Sequence, residues 1–449
     1  MSLSTEAVLA LAPDDASAKA AKGLLAPAKW PTLGHSDDAV WGECQGSGSK
    51  PYQTQVDLSG PVFRCSCPSR KFPCKHGLAL LLLRAQSEAS FTAGAPPPWV
   101  ADWLASRREK AEKKEARAAE PAAAPDPAAA AKRDAQRWKR IEAGVQELAR
   151  WLDDQTQRGL AALGSEQAEG WTAMAARMVD AQAPGLGQRI TQAAELIGAG
   201  EGWPARLLDR LGRLQLIVDA VPRRDSLSPA TRADLRAALG WPQDREALLA
   251  DGERVSDHWL VLGQCLDERD TKLVERHVWL QGRASGRRAL LLDYSHGGRG
   301  FETGWVSGSE RAAVLCFYPG HASQRAVVAE LPAEAASIAA PLAANDEAGE
   351  WQRMAQQIAA NPWQPLLPLV WADAVPARHG DQWWLRLGAA SQALPMQLAA
   401  AEAWQLLAHS GGAPLRVFGE WNGEQFAPLT AWAAEGACAP VWTLSGART

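Results

Sequence analysis

Three cysteines and a histidine crowd into the stretch "FRCSCPSRKFPCKHGLALLLLRAQ", residues 63–86, although the 449-residue chain holds only seven cysteines. No other feature limits the fold so sharply. Cys65 and Cys67 lie two apart, and in a strand such residues point to the same side. "FRCSC" therefore offers two thiols from one face. A loop containing Pro68 and Pro73 returns the chain to Cys74, just ahead of a leucine-rich helix whose first turn carries His76. Inside a helix an i, i+2 pair diverges, so the Cys74/His76 pair belongs at the helix entry. The positive end of the helix dipole favours a thiolate there as well. Three thiolates and one imidazole match tetrahedral zinc in a closed structural site, with no position left for a reacting water. The expected cofactor is one Zn²⁺ held by Cys65, Cys67, Cys74 and His76. Such an ion contributes about 10–16 kcal/mol at neutral pH, and that binding energy becomes folding energy. A module of roughly sixty residues needs a staple of this kind.

The surrounding pattern gives the module its outline. "DAVWGECQ", "YQTQVDL" and "VFRCSC" read as three strands, with Gly46-Ser47-Gly48-Ser49 as the turn between the first two. The helix over about 75–87 is apolar on nearly every side, so it is expected to be buried on more than one face. Residues 1–37 are read as an alanine-rich helical extension, 38–105 as the zinc module, and 106–133 as a flexible linker. The linker begins as a mixed-charge, helix-prone run and ends Pro/Ala-rich, without large apolar side chains. Over 134–250 the period is helical: Trp138, Ile141, Val145, Leu148 and Leu152 form one apolar stripe. In "SPATRADLRAALG", Ser228 is the expected N-cap, Pro229 the first helical residue and Gly240 the terminator. Residues 251–345 show five short strand patterns, expected as an antiparallel meander or small barrel. Residues 346–449 mix helix with a hairpin turning at Asn422-Gly423, read as a two-residue turn. The fold class is α+β and multidomain: a small ββ(β)α finger, a helical bundle, then antiparallel β-rich C-terminal domains.

Composition narrows the function. A net charge of -4 speaks against a surface built throughout for nucleic acid, although a local basic patch is compatible with it. The 21 tryptophans, against 3 tyrosines and 7 phenylalanines, are read as core anchors. The N-terminal "MSLSTEAVLALAPDD" has no basic region before its apolar run, and no stretch is long enough for a membrane span. A cytoplasmic location with reduced thiols is expected, where clustered cysteines bind metal rather than form disulfides.

The pattern "CSC…CKH", set within strand–strand–strand–helix, resembles the SWIM-type zinc finger over about residues 38–88. That resemblance implies the same four ligands. The whole chain is similar, less specifically, to bacterial proteins that place a SWIM finger before a long helical and β-rich region. Their class implies an association with MoxR-type AAA+ ATPases and von Willebrand A-domain proteins. SWIM modules elsewhere are regarded as DNA-binding or protein-binding elements.

Arg64, Arg70, Lys71 and Lys75 surround the ligands with no acidic residue among them. They are candidates for phosphate contact, and they also balance the net charge of -1 that three thiolates and Zn²⁺ leave. Cys44 is read as core rather than a fifth ligand. "GSGSK" lacks phosphate-loop spacing, and "GLGQRI" at 185–190 is read as an interhelical turn. His258 and His277 lie on neighbouring predicted strands, but no cysteine or carboxylate is visibly arranged with them. Cys265, Cys316 and Cys438 are read as packing residues. No H-E-x-x-H, G-x-S-x-G or other paired nucleophile and base is present. The leading expectation is a non-enzymatic zinc protein whose finger docks protein partners. The alternatives are a nucleic-acid-binding factor using the basic face, and an enzyme with a site in 254–449.

Overall fold

The computed structural model describes residues 5–9, 11–12, 15–46, 50–58, 62–69, 73–119, 127–160, 163–164, 168–268, 273–296, 301, 303–332, 346–388, 392–434 and 438–444. The N-terminal unit contains α1 (Thr5–Leu9), α2 (Asp15–Lys22), β1 (Thr32–His35), β2 (Ala39–Cys44), β3 (Tyr52–Asp57), β4 (Val62–Cys65), α3 (Lys75–Gln86), β5 (Thr92–Ala93) and the start of α4 (Pro98–Ala119). Its sheet runs β4-β3-β2-β1-β5, antiparallel apart from the short β1–β5 pair. Helix α3 is buried continuously from His76 to Leu83 because it is covered twice. Strands β2, β3 and β4 pack against it, and so do α1 and α2. Gly77 makes the close approach to the sheet possible, since a Cβ there would stand 2.8 Å from Phe63 Cδ1.

Residues 1–37 were expected to form a separate extension, and the described part of them corrects this. Val8, Ala21 and Trp30 share one core with Val40, Val56, Leu78 and Leu82, and β1 is a full member of the sheet. The charged run expected as a flexible linker is likewise helical. Helix α4 continues to Ala119 and α5 (Pro127–Arg158) already begins inside the linker range; 120–126 lie outside the described residues. Helix propensity of the Ala/Glu/Lys/Arg run explains the first half. The expected turn at 46–49 lies largely outside the described residues.

Helix α5 starts a bundle with α6 (Ala168–Asp180), α7 (Pro184–Ala194) and α8 (Trp203–Ala220), followed by α9 (Pro229–Ala238) and α10 (Arg245–Asp251). The stripe read from the sequence is buried: Trp138, Ile141, Val145, Leu148 and Leu152 meet Trp171, Ile190, Leu207 and Leu214. Ser228 caps α9 by accepting the Thr231 N–H at 3.1 Å, and Gly240 leaves the helix with φ +76°. "GLGQRI" is not a turn. It lies within α7, with Pro184 in the first turn and Gly185 pressed against the backbone of Ala238 and Leu239. Glycine serves close packing there rather than chain reversal.

Strands β6 (Glu253–Glu268), β7 (Leu273–Gly282), β8 (Arg288–His296), β9 (Glu310–Phe317) and β10 (Arg325–Glu330) close a barrel in the order β10-β8-β7-β6-β9. Four pairs are antiparallel, but the closing pair β8–β10 is parallel. The last unit contains α11 (Glu347–Ala360), β11 (Leu367–His379), β12 (Gln382–Leu387), β13 (Ala393–Pro395), α12 (Ala400–Ser410), β14 (Leu415–Trp421), β15 (Phe426–Ala433) and β16 (Trp442–Thr443). These strands form an antiparallel sheet, β13-β12-β11-β14-β15-β16. The hairpin turn is longer than expected: Trp421 pairs with Phe426, so residues 422–425 form the connection. The Asn422 side chain accepts from the Glu424 and Gln425 N–H groups, 2.9 Å each.

Barrel and sheet share a core in which Leu260, Leu262, Cys265 and Trp279 meet Val370, Phe418, Leu429 and Trp432. A buried ion pair crosses the same junction. Arg288 of β8 donates to Glu350 of α11 at 2.7 Å, and the same Glu350 oxygen accepts the Val370 N–H at 2.8 Å. The bundle is tied on by Arg210 of α8, which reaches Glu424 at 2.8 Å, and by Asp234 of α9, which accepts from the His321 N–H and from Asn361. Tryptophans anchor these cores as expected: Trp171, Trp259, Trp279, Trp371 and Trp432 are among the largest fully buried side chains.

Candidate metal centre

The sheet and helix of the N-terminal unit bring their four predicted ligands to one point. Cys65 ends β4 and Cys67 follows two residues later; Cys74 occupies the N-cap position of α3, and His76 lies in its first turn. One donor atom from each, three Sγ and an imidazole nitrogen, lie within 4.8 Å of one another. His76 Nδ1 is 3.8 Å from Cys65 Sγ and 4.0 Å from Cys74 Sγ. Tetrahedral zinc, with bonds of ~2.3 Å to sulfur and ~2.0 Å to nitrogen, separates neighbouring donors by roughly 3.5–3.8 Å. The arrangement fits the ion after small inward movements.

Electrostatics points the same way. Without a cation, closely spaced sulfurs cannot all ionise. Contacts with Cys65 and Cys74 hold the Cys67 thiol far below its usual range, helped by the Ser69 N–H. Contacts with Cys65 and Cys67, together with burial, push Cys74 far above it. Burial pushes the His76 ring down, but Cys65 and Cys67 outweigh that and raise it to about 9. A divalent ion removes this conflict by allowing all three sulfurs to be thiolates. Surrounding groups hold the ligands in place: the Thr54 hydroxyl lies 3.2 Å from Cys65 Sγ, and the Tyr52 ring stands 5.0 Å from the His76 ring.

Cys44 belongs to the core and not to the ligand set. Burial raises its thiol to about 11, which suits an inert apolar residue. Arg64 and Lys75 are exposed beside the ligands, while Arg70 and Lys71 lie outside the described residues. Cys316 is buried and donates to the Leu248 carbonyl at 3.0 Å.

His258 and His277 do not meet. His258 is largely exposed near Glu310, at the other end of β6. His277 has the company that its neighbours in sequence did not reveal. It pairs across the hairpin with Cys265, and Asp267 pairs with Glu275. Glu420 arrives from β14, and its carboxylate stands 3.0 Å from His277 Nδ1. The absence of cysteine and carboxylate around His277 is thus corrected. Two alternating pairs, Cys265-x-Asp267 and Glu275-x-His277, on adjacent strand patterns were the available signal.

Residues 52–85 match the family model of the SWIM zinc finger, and residues 136–239 match that of the SWIM-associated four-helix bundle domain. The resemblance carried by "CSC…CKH" is therefore shown, and the bundle of α5 to α9 accompanies it. No curated protein and no solved structure matches the chain.

Proposed function

We propose that the N-terminal unit is a zinc-folded recognition module through which this chain docks a protein partner, with the bundle, barrel and sheet as its scaffold. The closed donor set carries this reading: four protein ligands around one point leave a bound ion no free position for substrate. Zn²⁺ supplies cohesion, and Cys65, Cys67, Cys74 and His76 hold it. The role is adaptor rather than enzyme. Resemblance to bacterial SWIM proteins nominates a MoxR-type AAA+ ATPase or a von Willebrand A-domain protein as the partner, in the cytoplasm. No described helix is long and apolar enough to cross a membrane.

The test uses the full chain as bait, treated with nuclease, against a Cys74→Ser variant. The expected result is a defined protein partner retained at moderate salt and lost in the variant together with its zinc. Capture that disappears on nuclease treatment, or an affinity for plain duplex DNA that falls steeply with salt, would replace the adaptor by a nucleic-acid factor. The exposed Arg64 and Lys75 would then be the contacts.

A further inference from the structure

A second group of metal-ligating side chains lies inside the protein, on the hairpin β6–β7. Alternating residues on paired strands present metal-ligating side chains to one face. Cys265 stands directly across from His277, and Glu420 of β14 closes the group from the opposing sheet. The three donor atoms lie within 4.8 Å of one another. Their exposures are 2 %, 3 % and 1 %. Sheet and barrel come this close because residue 263 is glycine: a Cβ there would meet Leu429 Cβ and Thr430 Oγ1 at 2.9 Å.

We infer that Cys265, His277 Nδ1 and Glu420 form a second, interior site for a borderline divalent transition metal of the zinc type, separate from the finger. Three observations carry this. The donors are sulfur, nitrogen and oxygen, the mixed set that zinc accepts with three protein ligands and one further position.

The outer shell is also in place. His277 Nε2 lies 2.7 Å from a Glu275 oxygen, the carboxylate–imidazole contact that orients a metal-bound histidine, while Nδ1 faces the Glu420 carboxylate at 3.0 Å, where an ion bound between them would replace that contact. Trp279 Nε1 donates to Glu420 at 2.6 Å and orients that carboxylate. Asp267, which forms a second close group with Glu275 and His277, lies on the outer side of the ring.

Charge is the third. A dication offsets the thiolate and carboxylate that would ligate it, and the Glu275 and Asp267 carboxylates beside Nε2 add negative charge that favours a cation in this buried cluster. The flanking core of Leu260, Leu262, Val370 and Phe418 encloses the centre.

Metal counting on the full chain decides the matter. Protein stripped with chelator, reloaded with zinc and desalted is expected to hold two equivalents. A Cys65→Ser/Cys67→Ser/Cys74→Ser/His76→Ala variant is expected to hold one, and Cys265→Ala alone also one. Cobalt in the four-ligand variant should give a single-thiolate charge-transfer band that disappears when Cys265→Ala is added. A wild-type count of one that falls to none in the four-ligand variant overturns the inference and leaves the finger intact. A second equivalent that survives Cys265→Ala and Glu420→Gln overturns the ligand assignment. An equivalent kept by the four-ligand variant but lost on Cys265→Ala supports the interior site whatever the finger does. If the four-ligand variant does not fold, the wild-type count and the Cys265→Ala count still decide.

Discussion

At the scale of single residues, chemistry at two positions makes separable forecasts. His76 supplies a nitrogen from the first turn of α3, and cysteine places a sulfur at nearly the same point. Zinc accepts Cys₄ as readily as Cys₃His. His76→Cys is therefore expected to keep its equivalent of finger zinc, whereas His76→Ala loses affinity by more than the ~10–100-fold typical of an outer-shell partner; competition with a chelating dye measures both. Asp257 responds to acid. Burial pushes its carboxyl up, but Ser285, Ala284 and His258 outweigh this and hold it below its usual range. Its oxygens accept from the Ala284 and Ser285 N–H groups at 3.1 and 2.9 Å. A carboxyl whose folded-state pKa is depressed stabilises above the ordinary value of ~3.9, and the contribution is lost as pH falls through the folded-state value. Asp257→Asn is expected to cost about 1 kcal/mol at pH 7, a modest figure because solvent screens a partly exposed site. The difference from wild type should close below about pH 4. Urea unfolding at several pH values measures it.

At the scale of elements, the packing of α3 on β4 depends on the lack of a side chain at residue 77. Gly77→Ala drives a methyl into Phe63. It should destabilise the finger by about 1–3 kcal/mol, the usual cost of overpacking, even though alanine favours helix. Phe63→Leu added to Gly77→Ala should recover part of the loss, read as protection from protease. The sequence shows this element well because its causes are local: the leucines, the cap position and all four ligands lie within one short stretch. The barrel strands and the bundle stripe were legible for the same reason, since a period of two or 3.6 repeats within a single element. Strands β1 and β5 were not, because "TLGH" and a two-residue strand carry no alternation. The interior cluster was legible only by half. Cys265 and His277 are hairpin neighbours, but Glu420 lies 143 residues beyond His277, and only tertiary packing brings it there. The parallel closure of β8 on β10 is equally a property of the whole barrel.

At the scale of the molecule, the cores divide in two. The clusters around α3 draw on residues up to Leu104 among those described. The barrel–sheet core lies wholly beyond residue 250, and the bundle core takes in Trp363 of the C-terminal unit. Calorimetry is therefore expected to show two transitions. Chelator should abolish the finger transition, because its folding is coupled to metal. The larger transition should persist, lowered only by the loss of whatever metal the interior holds. A single transition sensitive throughout to chelator would contradict this division.

The flank of the barrel facing β14 and β15 has a consequence for synthesis. Residues 253–330 suffice to complete all five staves, yet Trp279, Leu260 and Leu262 on that flank wait for Phe418, Leu429 and Trp432. At ribosomal speeds, the missing cover emerges on the order of ten seconds later. During that interval the nascent chain carries a greasy, half-finished wall, so a prematurely terminated product ending near residue 345 is a natural client for holdase chaperones and a natural seed for inclusion bodies.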